Sequence, residues 1–223
     1  MNNLGERDSY IHKGLRKALA NVLRTKRISN EDVLKAIELI PRHLFFHGSD
    51  TAFHTTHAYE DKAFPIGADQ TISQPYTVAF QSQLLDVKPG DKILEIGTGS
   101  GYQATVLMLL KANVYSIERH KSLYERTSKF LPFLQGYLIE QLEKQQPKTA
   151  EPQKRTWKNE PEYRNIKCYY GDGFKGLPMY APFDKIIITA AVPESPKDLL
   201  KQLKTGGVRS EEHTSELQSH SFI

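Results

Sequence analysis

Three glycines at alternate positions, Gly97, Gly99 and Gly101, lie between an apolar run and a helical pattern in Leu94-Glu95-Ile96-Gly97-Thr98-Gly99-Ser100-Gly101-Tyr102. Glycine serves where backbone must turn tightly and let a ligand approach its N–H groups. A second apolar run, Asn113 to Ile117, leads into Glu118, 21 residues beyond Gly97. A carboxylate at that place can accept hydrogen bonds from both hydroxyls of a ribose. Together these features point to a cofactor built on adenosine. The dinucleotide pattern wants its third glycine one position later, where Tyr102 stands, so a nicotinamide dinucleotide is the alternative. The GxGxG spacing, with Glu95 just before the loop, suits a cofactor with a cationic amino-acid end and no pyrophosphate, which describes S-adenosyl-L-methionine. The competing reading of Glu95 is a solvated charge at a strand end.

The elements that must position these residues are short apolar runs alternating with helical patterns from Asp91 onward, the signature of parallel βαβ units. Strands are expected at Lys92 to Ile96, Asn113 to Ile117, Ile166 to Tyr170 and Lys185 to Thr189, with helices at Tyr102 to Lys111 and Leu123 to Leu131. Ser195-Pro196 opens a helix through Leu203, and Thr205-Gly206-Gly207-Val208 turns toward a last strand. Upstream, Lys13 to Arg27 and Val33 to Ile40 read as two helices, the second capped by Ser29-Asn30-Glu31-Asp32 and closed by Pro41. Pro75 fits the first turn of a third. Arg42 to Gln74 reads as a long aromatic and polar loop, long enough to favour a binding role. Pro132 to Asn165 breaks the rhythm with Gln, Lys, Glu and Pro and is expected to be a solvated insertion, in which the spacing of Leu134, Leu138 and Leu142 allows a short exposed helix before Pro152 and Pro161, with Trp157 packing it onto the body.

The chain has 223 residues, a net charge of +4 and 39% hydrophobic residues, enough for one core and against disorder of the whole. No apolar run approaches the ~20 residues of a membrane-spanning helix. The N-terminus lacks the pattern of a secretory signal, and a single cysteine, Cys168, agrees with a reducing compartment, so a cytoplasmic location is expected. The dilute positive charge carries no basic arm, which argues against nucleic acid as a partner. Arg209 to Ile223, reading RSEEHTSELQSHSFI, does not continue the pattern before it and resembles translated sequencing adapter. Residues 1–208 are therefore read as one domain, divided into 1–90 (N-terminal helices and substrate loop) and 91–208 (cofactor-binding core with insertion 132–165), and 209–223 as a non-native tail.

With these residues in view, Leu15 to Val208 resembles the protein-L-isoaspartate O-methyltransferases. The likeness rests on Pro41-Arg42-His43, Ala58-Tyr59-Glu60-Asp61, Pro65-Ile66-Gly67, Gln70-Thr71-Ile72-Ser73-Gln74-Pro75-Tyr76, the glycine loop, Gly171-Asp172-Gly173, and Ala181-Pro182-Phe183-Asp184 leading to Ile188-Thr189-Ala190-Ala191. The resemblance implies an α/β fold of the Rossmann-like, doubly wound, mostly parallel class I methyltransferase type. It implies methylation of isoaspartyl residues in damaged proteins and peptides, with S-adenosyl-L-methionine as cofactor.

By the same resemblance Ser73 is the active-site serine, positioning the substrate carboxylate rather than acting as nucleophile. Gln70, Thr71 and Ile72, with Tyr59 and Ile66, would line the peptide groove. Glu95, Gly97, Thr98, Gly99, Gly101, Glu118, Asp172 and Gly173 would hold the cofactor, Asp172 near the adenine. By spacing alone Ser73 reads as the cap of the helix begun by Pro75, and Gly-Asp-Gly as an ordinary turn.

Two departures stand out. Asp69 occupies a place where many bacterial relatives have glycine, and a carboxylate there should point away from an anionic substrate. The chain also stops where homologous chains continue, so a C-terminally truncated sheet is expected. His43, His47, His54 and His57 cluster within fifteen residues, but their irregular spacing does not read as a metal site, and no metal is expected. Cys168 reads as a core side chain. A monomer acting on isoaspartyl proteins and peptides, with neither nucleic acid nor membrane, is the expected state. The alternatives are a small-molecule methyltransferase of the same fold and an inactive remnant that binds the cofactor without catalysis.

Overall fold

Isoleucine, valine and leucine dominate the runs that become strands. In the computed structural model, which describes residues 4–46, 57–145, 166–190, 197–211 and 221–222, they form the middle of one sheet. His47, His54, Trp157, Ala191, the Ser195-Pro196 cap and residues 146–165 of the expected insertion lie outside the described residues.

Three N-terminal helices, α1 (Leu4–Arg7), α2 (Tyr10–Thr25) and α3 (Glu31–Leu39), come first. Asn30 caps α3, its side chain accepting from the N–H groups of Asp32 and Val33 at 3.0 and 3.1 Å. Ile40 is extended at φ −77° and ψ 121°, as a residue before proline tends to be, and ends the helix at Pro41. The expected loop from Arg42 to Gln74 contains more structure than its sequence advertises. Strands β1 (Phe64–Gly67) and β2 (Gln70–Ile72) form a hairpin across Ala68 and Asp69, both at φ +53°. Asp69 is exposed on that turn.

Helix α4 (Pro75–Leu84) leads into the main sheet of β3 (Lys92–Ile96), β4 (Asn113–Glu118), β5 (Ile166–Tyr170), β6 (Phe183–Ile188), β7 (Leu203–Glu211) and β8 (Ser221–Phe222). Its order is β5-β4-β3-β6-β7-β8, parallel except for β8. The chain winds outward from β3 one way and from β6 the other. The β3/β6 boundary is therefore the switch point at which open parallel sheets bind ligands beyond their carboxyl ends. Helix α5 (Tyr102–Leu109) joins β3 to β4, and the short α7 (Lys197–Leu200) precedes β7.

Two elements differ from the sequence reading. Helix α6 runs without a break from Lys121 to Gln145, through Pro132, where a helix end and a solvated insertion were expected. Its apolar face, Leu123, Phe130, Leu131, Leu134 and Leu138, is buried on both sides of the proline, and that packing outweighs one missing backbone hydrogen bond. Strand β7 starts already at Leu203, where a helix was expected to be ending, and continues through Arg209, Ser210 and Glu211, paired with Ile186 to Ile188. Main-chain pairing proceeds there across the change in sequence texture.

The N-terminal helices share one apolar core with the sheet-flanking helices. Leu23, Ile37 and Phe45 sit in the same buried cluster as Tyr102, Phe130 and Leu138. Lys185 adds a polar tie, its Nζ donating to the carbonyls of Leu85 and Asp86 at 2.6 and 2.8 Å.

Candidate active site

The glycine loop leaves β3 at the switch point and is fixed by its neighbours before any ligand arrives. The N–H groups of Gly97 and Thr98 donate to the Ile117 carbonyl of β4, at 2.9 and 3.1 Å. Gly99 N–H donates to Glu118 Oε2 at 2.8 Å, and the Gly99 carbonyl accepts from Thr127 Oγ1 at 2.7 Å. On the β6 side Thr189 Oγ1 donates to the Gly97 carbonyl at 2.7 Å. Gly97 has φ +98°, and a Cβ added there would lie 3.1 Å from both Ala190 Cβ and Thr189 Oγ1. The loop thus forms a shallow cradle that only glycine leaves open at this position.

Above the cradle lies a cleft of about 890 Å³, open solvent at its mouth included. One wall is Ile96, Gly97, Thr98 and Gly99; another is Ile117, Glu118, Arg119 and His120. Asp172, Gly173 and Phe174 close the adjoining side, and Gln70, Thr71, Ile72 and Ser73 from the hairpin form the opposite lip. Strand ends from both halves of the sheet and the separate hairpin thus meet around one space, which is how a switch point gathers residues distant in sequence.

Ten expected site residues therefore share the cleft: Gln70, Thr71, Ile72, Ser73, Gly97, Thr98, Gly99, Glu118, Asp172 and Gly173. Ser73 is not the cap of α4. That position belongs to Gln74, and the carboxylate of Asp61 accepts from the N–H of Tyr76 at 2.8 Å. Asp172 accepts from Phe174 N–H at 3.0 Å, so it shapes its own turn while facing the cleft. Asp69 is not among the residues that line the cleft.

Four expected residues do not line the cleft. Glu95 is completely buried beneath the loop, where Oε2 accepts from Ser116 Oγ at 2.5 Å; Ser116 in turn bonds Thr98 Oγ1 at 2.6 Å. Burial pushes its carboxyl up to about 8, and Glu118 nearby adds to the effect. Its role is to support the loop from behind, because β3 is covered on the face to which residue 95 points. Gly101 faces Thr127 and Leu131 of α6, each 2.9 Å from where a Cβ would be, so its smallness serves helix packing. Ile66 is buried, with Cδ1 3.5 Å from the Cβ position of Gly99. Tyr59 is buried against His43, whose Nδ1 accepts from its hydroxyl at 2.5 Å.

That tyrosine belongs to a polar core. Asp8, His12 and His43 come within ligand distance of one another, but these groups are engaged: Asp8 holds Arg16 and the Tyr137 hydroxyl, and His43 Nε2 donates to the Arg7 carbonyl. Sequence reasoning missed Val78, Ser100, Tyr102, Gln103, Arg119, His120, Phe174 and Leu199 as lining residues. For Arg119 and His120 a signal existed, since they directly follow the acidic end of β4.

The model of the protein-L-isoaspartate(D-aspartate) O-methyltransferase family matches residues 14–209. The chain belongs to this family. It is 53% identical over 201 residues to the protein-L-isoaspartate O-methyltransferase of Christiangramia forsetii, covering 90% of this chain and 80% of that one. With the enzyme of Flavobacterium psychrophilum the identity is 50% over the same shares. A solved protein-L-isoaspartate O-methyltransferase superposes with a TM-score of 0.64 at 28% identity, over 87% of this chain and 54% of that one. A Plasmodium falciparum structure in complex with S-adenosyl-L-homocysteine superposes with a TM-score of 0.63 at 20% identity, over 90% of this chain and 85% of that one, a likeness of fold. The family is one of S-adenosyl-L-methionine-dependent enzymes of the Rossmann-like class, so the expected fold, enzyme class and cofactor hold. The donor set fits that cofactor: a cradle a Cβ would fill at Gly97, carboxylates at Glu118 and Asp172, and apolar walls at Ile96, Ile117, Phe174 and Leu199.

Proposed function

We propose that this chain methylates the free carboxylate of L-isoaspartyl residues in damaged proteins and peptides, with Ser73 as the group that aligns that carboxylate. The observation that carries this reading is the placement of Ser73 on the lip facing the glycine loop, within one cleft with Glu118 and Asp172. Glu118 would hold the ribose, Asp172 the adenine amine, and the loop from Gly97 to Gly99 the amino-acid end. When bound, S-adenosyl-L-methionine supplies a methyl group on a positive sulfonium.

An isoaspartyl carboxylate is ionised at neutral pH, so no residue needs to act as general base. A serine O–H can donate one hydrogen bond to the oxygen that does not attack, leaving the other in line with the methyl. With the cofactor bound, the methyl would pass from the sulfonium to the carboxylate oxygen that Ser73 leaves free, the O–CH₃ bond replacing the S–CH₃ bond, and no residue of the chain would have to move a proton. Ile72, Val78, Ile96 and Ile117 supply dry walls, where the mutual loss of charge by carboxylate and sulfonium is favoured over the charged ground state. The ester then closes to a succinimide without the enzyme. We further read the chain as a monomer of the cytoplasm with neither nucleic acid nor membrane as partner; no helix among the described residues is long and apolar enough to cross a bilayer. The family match ends at residue 209, which agrees with a domain boundary close to that point, although Arg209 to Glu211 still pair with β6.

The test is base-labile methyl incorporation into a synthetic isoaspartyl peptide beside its aspartyl twin. Label on the isoaspartyl peptide alone is expected, and Ser73→Ala should lower kcat by roughly ten- to hundredfold, the scale of one lost aligning hydrogen bond. S-adenosyl-L-homocysteine should bind this variant unchanged. Equal labelling of both peptides would overturn the reading.

A further inference from the structure

Arg42 is among the largest completely buried side chains, and among the described residues it forms no salt bridge. Its guanidinium instead collects three backbone carbonyls from separate places in the chain. Nη1 donates to Ala58 at 2.5 Å, while Nη2 donates to Lys62 and to Ser73, both at 3.1 Å. Three aromatic faces surround it, with Cζ 5.5 Å from the Phe46 ring centroid and 5.6 Å from those of Phe64 and Tyr102. Burial brings the group down to about 10, which leaves it charged at neutral pH.

A buried charge is expensive to keep, and an apolar side chain would fill the same space without that penalty. What an apolar residue cannot do is hold carbonyls, and a planar fork reaches three of them where an ammonium would not. The third carbonyl is that of Ser73. The same stretch is gripped from its other side by Asp61, whose carbonyl accepts from Gln74 Nε2 at 3.0 Å and whose carboxylate accepts from Tyr76 N–H at 2.8 Å. Residues 58–62 and 73–76 thus form one unit built around the guanidinium.

We propose that Arg42 is a positioning residue for methyl transfer, fixing the backbone of Ser73 so that the serine hydroxyl meets the substrate carboxylate in line. The inference rests on the role given to Ser73 under the proposed function. A residue that touches neither substrate nor cofactor sets the geometry of one that does, and it acts through backbone rather than through a side-chain relay.

A double-mutant cycle on the full chain tests this, with Arg42→Lys and Ser73→Ala singly and together. Arg42→Lys is expected to lose tenfold or more in kcat, with peptide KM and S-adenosyl-L-homocysteine Kd within twofold of the parent. The double variant should be no slower than Ser73→Ala alone. If Arg42→Lys slows the Ser73→Ala background by its full factor, or if kcat, KM and Kd all degrade together with the melting temperature, the proposal is overturned. An unchanged kcat in Ser73→Ala alone would instead overturn the role of the serine, and the two failures are thereby distinguished. Should the lysine variant not fold, Arg42→Gln, which removes the buried charge while keeping an amide donor, enters the same cycle with the same outcomes.

Discussion

Glu118 Oε2 accepts the N–H of Gly99 at 2.8 Å, while Oε1 accepts the N–H of His120 at the same distance. One carboxylate at the end of β4 therefore fastens the glycine loop at the end of β3 and straightens its own exit from the strand. Both oxygens keep a further lone pair for the ribose.

Replacing that carboxylate by an amide should therefore harm binding twice. In Glu118→Gln only one oxygen remains to accept, and the NH₂ must face an N–H. A hydrogen bond to a charged group contributes roughly 1.5–3 kcal/mol, so a loss of about ten- to hundredfold in affinity for S-adenosyl-L-homocysteine is expected. Calorimetric titration reads it directly. An unchanged affinity would show that the ribose is held elsewhere.

Glu95 predicts a stability that falls as pH rises. Its folded-state value, about 8, lies above the ordinary 4.5, so the folded protein keeps a proton that the unfolded chain releases. Stability from this group is fully present below 4.5 and declines until about 8. Glu95→Gln mimics the protonated form, and its melting temperature should gain on the parent progressively across that window. A constant difference between the two curves would contradict the assignment.

His43 acts in the opposite direction. Burial first, and then the stacked ring of His12 at 3.9 Å, bring it from 6.5 down to about 4. The unfolded chain takes up a proton below 6.5 while the folded one does not, so stability drops as pH falls from 6.5 toward 4. Because the Glu95 contribution runs the other way and is shared by both proteins, the readout is the difference between them: the melting temperature of the parent minus that of His43→Gln should shrink from about pH 7 through 6 to 5.

Gly101 and Gly171 provide a matched pair. A Cβ at Gly101 would meet Leu131 and Thr127 at 2.9 Å and would also sit at φ +84°, whereas at Gly171 nothing lies within 4 Å. Gly101→Ala combines left-handed strain with overpacking and should cost about 2–4 kcal/mol. Gly171→Ala should melt with the parent. Equal melting temperatures for both variants would mean that α6 yields freely at Leu131.

The β-branched runs at Lys92 to Ile96 and Asn113 to Ile117 were legible as strands because both faces of a parallel sheet are covered, which makes its strands continuously apolar. The glycine loop and Glu118 were legible because their spacing is set by one βαβ crossover. Glu95 and Gly101 were misplaced for a common reason: a motif states which residues a loop needs, but not which of them face the ligand and which face the supporting helix. Pro132 misled because proline is a local signal, and the apolar stripe from Leu123 to Leu138 that carries α6 through it is a tertiary one. The hairpin at Phe64 to Ile72 has only three or four residues per strand, too few for alternation to show. Arg42 sat inside a recognised motif, yet nothing in a sequence tells a surface arginine from one that collects carbonyls sixteen, twenty and thirty-one residues away.

The hydrogen bond from Tyr137 to Asp8 joins residues 129 apart in sequence, and Asp8 in turn anchors Arg16 within the polar core that holds His43 and Tyr59. Contacts across so long a stretch form only after the intervening chain has given up its freedom, so they belong to the late part of folding. On a growing polypeptide the segment up to Tyr102 already contains Ser73 with its Arg42 and Asp61 supports and the whole glycine loop, but Ile117, Glu118 and Thr127 must be added before that loop is braced. The catalytic cleft is thus a late product of its own synthesis, completed from both ends of the chain.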